Sequence, residues 1–339
     1  MNENQKNYRF MHEVKTAYQL IENEMTTMEE LARESLSGVD PFVGEVVRYS
    51  IQFSGKRLRP VLLFLAGRAI GNTVLLDSKH VQTAAAIEFV HTASLIHDDI
   101  LDGAKIRRHC ATINVRWNVQ IGVLAGDLLL TKALELMARN GELHGFRRLA
   151  EACRKTCEGE LRQLGTVNCF DMTPDEYYEM IAGKTAPLLA CSSELGAYYS
   201  GADNETMERF RIFGHKLGLA FQIVDDVLDM VGETGTAGKT LRTDLINRKP
   251  TLPLILYLKT AGSADRMETL NRICRNDFDE ISAQEMVSRF CESGAVMLAK
   301  QEAERLINEA IGLLSGFNGN DQAIAALISV AQFVVNRNN

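Results

Sequence analysis

Proline is scarce in this chain, six in 339 residues, so long stretches lack the commonest helix breaker. No run shows the sustained period-two alternation of a half-buried strand, which excludes an extensive sheet. The long stretches carry apolar residues at period 3.6 instead, and the chain reads as almost wholly helical. Positive charge is not in excess either: 37 Lys and Arg stand against 44 Asp and Glu, a net charge of −7. That balance excludes a nucleic-acid binder, whose affinity rests on a basic surface. Met1 to Lys6 hold no apolar signal core. The charge-free run Ala323 to Val335 is shorter than the ~20 residues a membrane helix needs. A soluble, cytoplasmic protein is expected.

Seven cysteines, an odd number, include no Cys-x-x-Cys and no histidine at zinc-site spacing, so they read as reduced core thiols. Gly-Lys-Thr occurs at 183–185 and again at 238–240, but neither is a phosphate-binding loop. The upstream glycine that such a loop requires is Tyr178 in the first case and Glu233 in the second.

Against these absences stand 46% hydrophobic and 24% charged residues, ample for one large helical domain over 1–339. The most distinctive stretch is His91-Thr-Ala-Ser-Leu-Ile-His-Asp-Asp-Ile-Leu-Asp102. Asp98, Asp99 and Asp102 stand at i, i+1 and i+4, so on a helix their carboxylates leave from nearly one face. Two carboxylates about 4 Å apart repel by roughly 4 kcal/mol at an effective dielectric near 20, and a cation between them is expected. One such cluster could be an acidic helix end in solvent. A second, Asp225, Asp226 and Asp229 in Phe221-Gln-Ile-Val-Asp-Asp-Val-Leu-Asp229, repeats the spacing after another apolar run. Six carboxylates suffice for several hard dications, and Mg²⁺ completes its shell with phosphate oxygens.

Basic residues accompany both clusters. Gly55-Lys-Arg-Leu-Arg-Pro60 is a structured turn into an apolar helix, Val61 to Ala69; Lys56 and Arg59 either converge on an anion or form a solvated loop. Arg107 and Arg108, just beyond Asp102, either neutralise the aspartates or bind an anion that metals recruit. Lys184, in an apolar setting, needs an anionic partner, as does Asp127 a partner of its own in the helix Ile121–Ala138. Helices are expected from Asp40-Pro41, over Ser78–Leu101, Phe146–Leu164 and Glu205–Val231, and after a Thr173/Glu176 capping box. Gly232 to Pro250, rich in glycine and charge, reads as a loop over a polar site.

Taken together, these residues resemble the trans-isoprenyl diphosphate synthases, which condense isopentenyl diphosphate onto an allylic diphosphate. The resemblance covers nearly the whole chain, most strongly Lys56 to Pro253. It rests on Gly55–Pro60, Asp98–Asp102, Arg107-Arg108, Lys184-Thr185, Phe221–Asp229 and Lys239…Asp244…Lys249 in the family's order and spacing. It implies an all-α isoprenoid synthase fold, a bundle of roughly ten or more helices around a deep central cavity. It implies about three Mg²⁺ held on the allylic diphosphate by Asp98, Asp102 and Asp225, with Asp99, Asp226 and Asp229 completing the shells. Arg107, Lys184 and Lys239 would contact that diphosphate, with Lys249 nearby. Lys56, Arg59, His91 and Arg108 match the isopentenyl diphosphate pocket. Thr185 and Gln222 match positions facing the developing carbocation. The resemblance further implies a homodimer, and a membrane-soluble product suggests transient membrane contact.

In that family, bulky aromatics at the fifth and fourth positions before the first aspartate close the product channel early. Here they are Ala93 and Ser94, both small, so a long-chain product of about six to ten isoprene units is expected from a channel gaining about 1.5 Å per helix residue. Leu134 and Met137 are candidates for its floor. Three departures from the family pattern stand out: His109-Cys110-Ala111 where a glycine and a later proline are usual, Thr240 and Arg242 where many members have proline and glycine, and Asn247-Arg248 before Lys249 in place of the common glycine. The alternatives are a short-chain farnesyl or geranylgeranyl diphosphate synthase, a subunit of a heteromeric synthase, a terpene cyclase and a plain helical scaffold. A cyclase would not be expected to keep Lys56, Arg59 and a second aspartate triplet.

Overall fold

The fold is that of a computed structural model, which describes residues 14–51, 55–71, 76–232, 243–275 and 280–337. The chain forms two compact units. Met1–Cys153, Leu188–Gly214 and Ile311–Phe333 make the first; Arg154–Pro187, His215–Ala310 and Val334–Asn339 make the second.

In the first unit come α1 (Glu22–Ser35), α2 (Pro41–Ile51), α3 (Leu58–Ala69), α4 (Ser78–Leu101), the strands β1 (Ile106–Arg107) and β2 (Cys110–Ala111), α5 (Ile113–Arg116) and α6 (Val119–Asn140). Helix α4 is central and packs against α1, α3 and α6. Every residue from Thr83 to Val90 is buried, so its middle is enclosed on all sides. The side chain of Asp77 accepts the Lys79 and His80 amides, and His80 reciprocates to the Asp77 amide, closing its N-terminus. Helix α3 starts at Leu58 rather than Val61, which puts Arg59 and Pro60 in its first turn, where a proline's missing N–H goes unused.

The small hairpin β1–β2 is the one departure from an all-helical chain among the described residues. It pairs Ile106 with Ala111 and Arg107 with Cys110, leaving Arg108 and His109 as a two-residue turn at φ 50° and 63°. Two positive φ values at the centre make this the hairpin turn that usually takes Asn-Gly. Here two bulky residues adopt it, so no turn residue announces the hairpin. His109→Gly is therefore expected to stabilise the protein by about 1 kcal/mol, read as a shift in the urea midpoint.

The second unit takes residues from α7 (Leu143–Gly165), α8 (Pro174–Lys184), α10 (Asn204–Val231), α15 (Ala295–Leu314) and α16 (Asp321–Asn336). It also holds α11 (Thr243–Ile246), α12 (Leu252–Thr260), α13 (Ser263–Arg275) and α14 (Glu280–Glu292). The Thr173/Glu176 capping box opens α8. Tyr177, Met180 and Ile181 of α8 are buried, and α8 packs on α12. Helix α11 ends with Arg248 in the left-handed conformation at φ 57°. The Arg248 amide bonds Leu245 and the Lys249 amide bonds Asp244, the pairing of a helix stop that usually carries glycine. Both bulky departures from the family's glycines, His109 and Arg248, thus keep a glycine-like backbone. Between Lys184 and Ala186 the chain breaks into a further helix, α9 (Ala186–Tyr199).

Among the described residues, no helix is long and apolar enough to cross a membrane. All seven cysteines are free, but the expected core placement holds for Cys191 alone; Cys153 is half-buried and the other five are exposed. Asp127 is mostly solvent-facing with His97 Nε2 3.7 Å away, so hydration answers most of its charge.

Candidate active site

In the first unit, the acidic end of α4 meets the hairpin. Asp99 is buried and Asp102 exposed, with Asp98 between them in exposure. Arg107 grips Asp99: Nε donates to both carboxylate oxygens at 2.8 Å, and Nη2 lies 2.7 Å from Oδ1. Of the two roles open to Arg107, neutralising an aspartate is the one that its geometry shows.

A basic cluster lies one to two turns below. His91 sits near Arg59, Arg108 and Arg107, and burial together with those charges drives its imidazole well below the usual histidine range. At neutral pH it is an uncharged hydrogen-bonding group. A Cβ on Gly55 would stand 2.3 Å from Arg108 Nη2. Only a glycine lets the Arg108 guanidinium lie against the 55–60 turn. Lys56 Nζ lies 4.1 Å above the Phe333 ring, and the Tyr18 hydroxyl donates to the Lys56 carbonyl. Neither Phe333 nor Tyr18 carries a sequence signal for this role, since aromatic residues in amphipathic helices read as core.

The small residues differ in their surroundings. Ala93 has no accessible surface, while Ser94 is part-exposed and its hydroxyl donates to the His91 carbonyl. Side chains of α4 press on glycines of α6: Ile100 on Gly122, His97 on Gly126. Ala93, one turn before His97, continues that packed face. Of the floor candidates, Met137 is buried and Leu134 is 51% exposed.

The second unit carries the other triplet, at the end of α10. Asp226 is buried; Tyr177 O–H donates to its Oδ2 at 2.6 Å and Gln222 Nε2 to its Oδ1 at 2.8 Å. Thr185 Oγ1 donates in turn to Gln222 Oε1 at 2.5 Å, so Thr185, Gln222, Asp226 and Tyr177 form one chain of hydrogen bonds. Arg337 pairs with Asp225 and donates to the Phe221 carbonyl at 2.9 Å. Asp229 accepts the Asp244 amide at 3.0 Å. Lys184, expected to await an anion, has one from its own chain: Glu160 Oε1 at 2.5 Å, with Gln163 Oε1 at 2.8 Å. A close approach of Gly159 to Gly183 brings these helices together, which spacing along the sequence does not reveal. Lys249 is buried. Lys239 lies outside the described residues.

Burial, then the neighbouring charge of Asp244, pushes the Asp226 carboxyl up to about 8. Because the folded value lies above the unfolded one, the folded protein holds a proton that the unfolded chain releases. Stability from this group is fully present below about 4 and is lost as pH rises toward about 8. Metal-free protein should lose thermal stability across that window; Asp226→Asn should flatten the profile in differential scanning fluorimetry.

Among the described residues, no three His, Cys, Asp or Glu side chains lie close enough together to hold a metal ion. The donor chemistry nevertheless suits a hard dication: all six candidate ligands are carboxylates, and the neighbouring charge of Asp244 helps to raise the Asp226 carboxyl.

The sequence profile of the polyprenyl synthetase family matches residues 40–290. The chain belongs to the polyprenyl synthetase family. It is therefore a prenyltransferase with an all-helical isoprenoid synthase fold. Heptaprenyl diphosphate synthase component 2 of Geobacillus stearothermophilus is 32% identical over 91% of this chain and 94% of that protein. A short chain isoprenyl diphosphate synthase of Methanothermobacter thermautotrophicus is 34% identical, over 91% and 95%. The crystal structure of a polyprenyl synthase from Caulobacter crescentus, complexed with calcium and isoprenyl diphosphate, superposes with a TM-score of 0.91 at 32% identity. It covers 96% of this chain and 98% of that one.

Proposed function

We propose that this polyprenyl synthetase extends an allylic diphosphate, such as farnesyl or geranylgeranyl diphosphate, with isopentenyl diphosphate to an all-trans chain of about six to ten isoprene units, a precursor of quinone side chains. The observation that carries this reading is the part-exposed Ser94, a small residue with room beside it below the first aspartate triplet. A heptaprenyl synthase component among the relatives supports it. The Caulobacter crescentus protein, complexed with calcium and isoprenyl diphosphate, supports dication and diphosphate binding.

Asp98, Asp102 and Asp225 would hold Mg²⁺ on the allylic diphosphate, about three ions by family resemblance, with Asp99, Asp226 and Asp229 in support. When bound, Mg²⁺ supplies the positive charge that stabilises the departing diphosphate. Arg107, Lys184, Lys239 and Lys249 add to that charge from the protein side. Lys56, Arg59, Arg108 and neutral His91 bind and orient isopentenyl diphosphate, so that its double bond reaches the allylic carbon. Thr185 and Gln222 turn oxygen atoms toward the cationic carbon, and apolar walls keep water from quenching it. The proton lost at the end goes to the released pyrophosphate. Release of pyrophosphate should require farnesyl diphosphate, isopentenyl diphosphate and Mg²⁺ together; release without isopentenyl diphosphate would point to a cyclase or hydrolase.

The whole chain acts as one catalytic domain and works as a homodimer. Exposed Val119, Val123 and Leu124 on α6 offer an apolar surface for the second copy. The product's greasy tail brings transient membrane contact. A second reading, the catalytic subunit of a two-component synthase, is favoured by the Geobacillus stearothermophilus relative, itself a component 2. It predicts no turnover by the chain alone.

A further inference from the structure

Glu88 stands on α4 one turn before His91, 5% exposed, in the middle of the basic cluster. Its Oε1 lies 3.6 Å from Arg57 Nη1. Its Oε2, also buried, has no hydrogen-bond partner among the described residues. Arg59 and Arg108 are close enough to act on it electrostatically. Arg57, at φ 46° before the first turn of α3, spends its Nε on Glu29 at 3.0 Å.

The arrangement is odd by the usual rules. A buried carboxylate is costly unless paired and hydrogen-bonded, and this one is only half answered. Guanidiniums brought together in one pocket repel one another by several kcal/mol at short range, at an effective dielectric near 20. Burial pushes the Glu88 carboxyl up and the Arg57, Arg59 and Arg108 charges pull it back toward its ionised form; as a carboxylate, with Glu29 on Arg57, it offsets that repulsion while the pocket holds no anion. Its contact with Arg57 also ties the left-handed turn, and so Lys56 and Arg59 on either side, to the rigid interior of α4. Arg108 reaches the same turn through Gly55. Arg57 thus touches Glu88 directly, and Arg59 and Arg108 act on it through their charge.

We propose that Glu88 is the positioning residue of the isopentenyl diphosphate pocket, acting through Arg57, Arg59 and Arg108 to hold the diphosphate-binding cations in place before substrate arrives. This rests on the reading of that pocket given above. Glu88 makes no bond to substrate and takes no part in ionisation. Its removal therefore touches one substrate and not the other.

The test is Glu88→Gln in the full-length protein with Mg²⁺, comparing KM for isopentenyl diphosphate, KM for farnesyl diphosphate and kcat. KM for isopentenyl diphosphate should rise about tenfold or more, with kcat and the farnesyl diphosphate KM within about twofold. Arg57→Gln, whose side chain is less deeply buried, should reproduce the effect, and the double variant should be no worse than either single one. An unchanged isopentenyl diphosphate KM in both variants overturns the inference. So does a lowered KM, which would mean that Glu88 merely repels the anion, or an equal rise for both substrates with a lowered Tm, which would mark a structural role. Calorimetric titration of isopentenyl diphosphate into the unaltered protein separates the failures: absence of binding there removes the pocket itself, and the inference with it.

Discussion

Asp98→Ala and Asp225→Ala should each reduce turnover by about 10³-fold, roughly 4 kcal/mol of barrier, while leaving the fold intact. The magnitude follows from what the carboxylates do. An allylic diphosphate ionises into two charged fragments, and stabilising the departing anion is the largest task the protein has. Losing one ligand weakens the dication that performs it. The fold should tolerate both changes, because Asp98 is only half-buried near the end of its helix and the Asp225 side chain is 45% exposed. Asp99→Ala should behave differently. Asp99 is buried and answers Arg107 through three short contacts, so its removal strands a largely buried guanidinium and costs about 3–5 kcal/mol of stability. Steady-state kinetics alongside thermal melts separates these cases: an Asp98→Ala enzyme with near-normal turnover would remove the first triplet from catalysis.

The second large effect concerns product length. Ser94→Tyr should shorten the product by several isoprene units without a large loss of stability, since position 94 has accessible space beside it. Ala93→Phe should also shorten it, but at a different cost. Ala93 has no accessible surface and lies on the face of α4 that packs against α6. A phenylalanine there must push the helices apart, at about 1–3 kcal/mol. Reversed-phase chromatography of dephosphorylated products reads the length, and a melt reads the cost. Unchanged product length in both variants would take the ruler away from this turn of α4.

Much of this was legible in the residues alone. The aspartate triplets at i, i+1 and i+4 are local, and a helix's period places them on one face wherever it sits. The bounds of α4 and the Thr173 capping box are likewise local chemistry, written in adjacent residues. What stayed hidden is of two kinds. Partners far apart in sequence, such as Lys184 with Glu160 or Asp225 with Arg337, depend on how helices cross, and no spacing encodes that. Glycine-like backbone without glycine, at His109 and Arg248, hides because the composition that marks a turn is absent. The resemblance to prenyl synthases covers the first gap in part, since it groups residues by shared role. It does not supply Glu88, Tyr177 or Phe333, which act on the named residues from beneath or beside them.

The most direct measurement is product sizing. Purified protein, given farnesyl diphosphate, excess isopentenyl diphosphate and Mg²⁺ with no other subunit, should yield an all-trans polyprenyl diphosphate of about six to ten isoprene units. Accumulation of geranylgeranyl diphosphate alone, or no condensation at all, would contradict the account.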